Sequence, residues 1–94
     1  MPYDYTIERP WLFTEEGVEA FISLRDYVIT ILKRAGVVRM DKTFNAPNRN
    51  QPYDSWRKIA LVDRMVELGE LREIPQENCA GQHRVFVATD RLPT

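Results

Sequence analysis

Ninety-four residues suit one small domain with a single core. A hydrophobic fraction of 44%, a charged fraction of 29% and ten aromatic residues exclude a disordered chain, and a net charge of −1 supplies no general attraction to nucleic acid or acidic lipid. Cys79 is the single cysteine, which excludes an intrachain disulfide framework and fits a reducing cytoplasm.

The opening residues have neither a basic start nor an apolar h-region, so no secretory signal is expected. Tyr3, Tyr5 and Ile7 alternate with Asp4, Thr6 and Glu8, the period of a short half-buried strand or an extended arm within residues 1–13, and Pro10 ends it. Thr14 then predicts a helix N-cap, with Glu15 and Glu16 favoured in the first turn and Phe13 and Val18 spaced as a hydrophobic staple. The helix runs over 14–35, with Lys33 and Arg34 in its last turn and Gly36 as the stop. Glu19, Ser23, Arg25, Asp26 and Thr30 interrupt its apolar run and exclude a membrane span.

Phe21, Leu24, Val28, Ile31 and Ala35 form one apolar stripe on this helix, and Val18, Ile22, Ile29 and Leu32 widen it. Either the monomer wraps the helix on two sides, or Val18, Ile22, Ile29 and Leu32 form the interface of a homodimer. Val37 to Met40 predicts a brief strand. Three asparagines and two prolines between Asp41 and Tyr53 oppose regular structure, so the middle helix is short or absent, one or two turns from Asp41 to about Asn45. Residues 35–58 hold five basic and two acidic residues, whereas the segments on either side each hold four and six. A phosphate-binding site should include this middle segment; a solvated loop with a small charge imbalance fits equally well.

Asp54 or Ser55 caps the next helix, over 54–69, and Gly69 stops it. Trp56, Ile59, Ala60, Val62, Met65, Val66 and Leu68 are apolar and Arg57, Lys58, Arg64 and Glu67 fall largely opposite, which predicts a surface helix with one buried side. Leu71–Ile74 and Arg84–Ala88 predict two antiparallel strands in a hairpin over 70–89, joined by the loop Pro75 to His83, with 90–94 as a frayed tail. The expected class is α+β, in one domain.

The run from Leu61 to Leu71, LVDRMVELGEL, resembles the end of the recognition helix in bacterial winged helix-turn-helix regulators, where a leucine-rich helix meets a glycine and then the first wing strand. With Arg84–Ala88 as the returning strand, the likeness covers about the C-terminal half of the chain. The resemblance implies a double-stranded DNA binder acting in transcription or replication control. It implies Ser55, Arg57, Lys58 and Arg64 facing the major groove, Gln82, His83 and Arg84 on the wing, and Arg49 and Asn50 holding the backbone. Asp54, Asp63 and Glu67 interleave with these cations, and that mixed surface equally suits a winged-helix adaptor with a protein partner.

No enzyme chemistry assembles. Cys79 and His83 are one of each where structural zinc needs four ligands, and the four glycines are isolated, so neither a metal nor a cofactor is expected. Tyr53 and Trp56 are suited to stacking on bases, but their position at a helix start favours core or staple roles.

Overall fold

A computed structural model describes residues 2–46, 50–75 and 83–93. The chain is a small α+β fold: α1 (Tyr5–Glu8), a 3-10 helix (Arg9–Phe13), α2 (Glu15–Ala35), β1 (Val38–Arg39), α3 (Met40–Thr43), α4 (Ser55–Glu67), β2 (Leu71–Ile74) and β3 (Val85–Ala88).

α2 begins as its cap predicts, with the Thr14 hydroxyl accepting from the Gly17 N–H at 3.0 Å. It ends where Gly36 enters the left-handed region at φ 79°, a conformation that costs glycine nothing. Its buried line is Gly17, Ala20, Leu24, Val28 and Leu32, rotated from the expected stripe, and Ala35 is exposed. Gly17 lies under the 3-10 helix, where the two backbones approach too closely for any side chain.

The three strands pair antiparallel in the order β1-β3-β2. Val38 and Glu73 flank Phe86 on either side of the central strand, and Val38, Leu71 and Phe86 point into the core. Arg39, Arg72, Ile74, Val85 and Val87 take the opposite face by the alternation of the pleat. α4 passes into β2 through two bonds that close a helix end around a left-handed glycine. The Glu70 N–H donates to the Met65 carbonyl and the Gly69 N–H to that of Val66, both at 2.9 Å, with Gly69 at φ 78°. Glu70, only 5% exposed, pairs with Arg25 of α2 and so ties this turn to the long helix.

Three expectations are corrected. Residues 5–13 are helical rather than a strand or extended arm, because Asp4 caps α1 by accepting from the Thr6 N–H and the tyrosines are held by α4 rather than by a neighbouring strand. The tail is docked, not frayed through 90–93: the Thr89 N–H donates to the Glu70 carbonyl and Leu92 is buried in the core. α4 is not a surface helix with one buried side. Ile59, Ala60, Leu61 and Val62 are consecutive and all buried, and since successive residues turn by about 100° they point in four directions. α4 is the central rod of the domain.

Candidate functional site

Residues 3–13 pack along one face of α4, against Arg57, Asp63, Arg64 and Glu67. Ala60, fully buried, has the smallest side chain on this helix, and the helical turn puts it on the same face as Arg57, Asp63, Arg64 and Glu67, which meet that segment. Around it the contacts are polar or cationic at their tips and aromatic at their centre. The Tyr3 hydroxyl donates to Asp63 Oδ2 at 2.7 Å and the Tyr5 hydroxyl to Glu67 Oε1 at 2.7 Å. Arg9 Nε reaches Glu67 Oε2 at 2.9 Å. Arg57 stacks its guanidinium 5.0 Å from the centre of the Trp11 ring, and Arg64 does the same at 5.0 Å over Phe13. α1 and the 3-10 helix thus form a strap along this face of α4.

Glu67 accepts from Tyr5, Arg64 and Arg9, in that order of effect, and these hold its carboxyl down to about 2 despite partial desolvation. Burial and the same bond to Glu67 push the Tyr5 phenol up to about 12. Because the Glu67 value is depressed on folding, its contribution is complete above the ordinary glutamate range and is lost as pH falls toward about 2. Melting temperature therefore declines through that acid window, and Glu67→Gln flattens the decline there; an unchanged profile in the variant would refute the role given to this carboxylate.

Arg84 meets α4 one turn before Glu67, at Asp63. Its Nη2 lies 2.8 Å from both Asp63 Oδ1 and Glu73 Oε1, and its Nε donates to Glu73 Oε2 at 3.0 Å. Burial opposes its charge, but the bonds to Glu73 and Asp63 outweigh that and raise the guanidinium further above its ordinary value. The Tyr3 phenol, half-buried and bonded to Asp63, is raised as well. Tyr3, Asp63, Arg84 and Glu73 thus join the strap, α4, β3 and β2 in one network.

The expected DNA contacts do not converge on an open basic face. Arg84 is engaged as above, and Arg64 also pairs with Glu67 at 2.7 Å. Lys58 lies over the Phe44 ring at 5.3 Å, and Arg57 over Trp11. Ser55 and His83 are exposed. Asn50 is exposed and lines a polar pocket of about 400 Å³ with Glu16, Glu19, Gln51, Pro52, Tyr53, Asp54 and Arg57, where three carboxylates face one cation. Arg49 and Gln82, and with them the proposed tip of the wing and Cys79, lie outside the described residues. No group of three metal-ligating side chains occurs among the described residues. Trp56 is half-buried, but Tyr53, at 101% relative exposure, takes no core role.

The candidate dimer residues separate. Leu32 belongs to the core and Ile29 is half-buried against it. Val18 and Ile22 are exposed, at 45% and 54%. Val18 lines a small hollow with Phe13 and Leu68, and Ile22 lies one turn further along α2. A second apolar hollow, of about 510 Å³, runs between the end of α2 and β1, lined by Tyr27, Ile31, Arg34, Ala35, Val37, Val38, Arg39, Lys42 and Val85. The sequence signal for it was the pairing of a basic helix end with a brief strand just beyond Gly36. Among the described residues, no helix is long and apolar enough to cross a membrane.

The sequence matches no family model, no curated protein and no solved structure.

Proposed function

We propose that this chain is a winged-helix-type domain whose partner is another protein. The element order of long helix, strand, short helix, helix, strand and strand, the β1-β3-β2 sheet and the helix-Gly69-strand turn support the winged-helix reading. The observation that carries the choice of partner is the cover over α4. Of the positions expected to face a DNA groove, Arg57 and Arg64 lie against Trp11 and Phe13, and residues 3–13 also bond Asp63 and Glu67 of the same helix. Their cations serve aromatic rings and carboxylates of the same chain, so placing them on phosphates would break those contacts. Exposed Phe13, Val18, Ile22 and Leu68 supply apolar surface of the kind that protein interfaces use. Double-stranded DNA is the competing partner.

Fluorescence anisotropy of a labelled mixed-sequence duplex, at low and at physiological salt, separates them. The expected result is no saturable binding at either salt, and no change on Arg57→Ala with Lys58→Ala. Saturable binding that falls steeply with salt and disappears in that double variant overturns the proposal, because phosphate neutralisation must give such a slope.

A further inference from the structure

The hollow beside β1 combines three properties that together specify a ligand. Its lining is largely apolar, with Tyr27 and Ile31 of α2 on one side and Val37 and Val85 at the sheet edge, and it occupies about 510 Å³, within the size range of sites that enclose side chains or small ligands. Its rim is cationic. Arg34 and Lys42 have no carboxylate within 4.0 Å among the described residues, whereas Arg39 is held by Asp41 at 2.7 Å. Its wall is a strand edge that pairs with no further strand among the described residues, because β1 is terminal in the sheet.

The register fixes which backbone groups that edge presents. The Met40 N–H donates to the Arg84 carbonyl at 2.7 Å, so positions 40 and 38 exchange bonds with β3. In an antiparallel ladder the intervening positions turn away, which directs the backbone groups of Val37 and the N–H of Arg39 to the open side. An extended segment laid there finds main-chain partners along β1, an apolar lining for one set of its alternate side chains, and cations for carboxylates at its margins. A cationic segment would instead meet Arg34 and Lys42 without compensation.

Resting on the protein-partner reading above, we propose that this groove binds an extended, acidic segment of a partner protein, by strand addition to β1 with its carboxylates on Arg34 and Lys42. The partner is recognised by alternation of apolar and acidic residues.

The test uses the full chain and three labelled probes: a short peptide alternating Glu and Val, its counterpart alternating Lys and Val, and mixed-sequence duplex DNA. The Glu/Val peptide binds saturably, shifts the amide signals of Val37, Arg39 and Val85, and loses affinity on the order of tenfold or more in Arg34→Glu with Lys42→Glu, while the Lys/Val peptide does not bind the natural chain. Both substituted side chains are on the rim, and an unchanged melting curve verifies that the variant folds. Equal binding of the two peptides, no binding of the acidic one, or affinity unaffected by the double substitution overturns the groove assignment and leaves the protein-partner reading standing if the duplex is also unbound. Saturable, salt-steep duplex binding overturns that broader reading instead.

Discussion

Arg84→Ala lowers the unfolding free energy by about 3 kcal/mol and the melting temperature on the order of 10 °C or more. Removing the guanidinium leaves Asp63, which is 13% exposed at its side chain, without its cation, and breaks the side-chain tie between the start of β3 and α4, while the backbone pairing of β2 with β3 stays. The expectation that this arginine sits on a wing for a DNA phosphate predicts the reverse, a stable protein with weaker binding. Glu73→Ala is milder, within about 1 kcal/mol, because its side chain is 39% exposed and water replaces part of what it gives. Chemical denaturation of both variants checks the pair; a loss below about 1 kcal/mol for Arg84→Ala would show that the network adds nothing to the fold.

Gly17→Ala destabilises by about 2–3 kcal/mol, against the roughly 1 kcal/mol gain that alanine brings to an ordinary helix interior. An added Cβ would stand 2.1 Å from the Trp11 carbonyl oxygen and 2.8 Å from the Leu12 Cα. Both are backbone atoms, which a rotamer change cannot remove. Relief requires shifting the 3-10 helix, and with it the rings of Trp11 and Phe13 that lie against Arg57 and Arg64. A lower melting temperature with altered tryptophan emission is the expected pair of results; a stabilised variant would mean that the strap stands off α2.

Local rules made most of the elements legible. Thr14 and Gly36 bound α2 because capping chemistry and a left-handed stop act within one turn, and Gly69 ends α4 for the same reason. The Asn/Pro-rich stretch left α3 as a four-residue stub, and Leu71–Ile74 and Val85–Ala88 pair as their β-branched and apolar content predicts. The class α+β follows from those pieces. Tyr3, Tyr5 and Ile7 misled because alternation over so few residues does not separate a strand from a turn of helix, and what decides is the distant pairing with Asp63 and Glu67. The candidate site was less legible. Arg57, Arg64 and Arg84 are cations in any sequence reading, and only tertiary contacts reveal that each is already engaged. One signal was present: Ile59-Ala60-Leu61-Val62 is an unbroken apolar run inside a helix, and a helix with one buried side does not need it.

The strap over that run is the basis for a protein partner, and thiol labelling tests it directly. Cys79 is replaced by Ser, and Ala60→Cys is compared with Ser55→Cys on the exposed start of the same helix. The account predicts that Cys at position 60 stays unreactive until the protein unfolds while Cys at position 55 labels at the rate of a free thiol; equal, rapid labelling of both in the folded protein would contradict it.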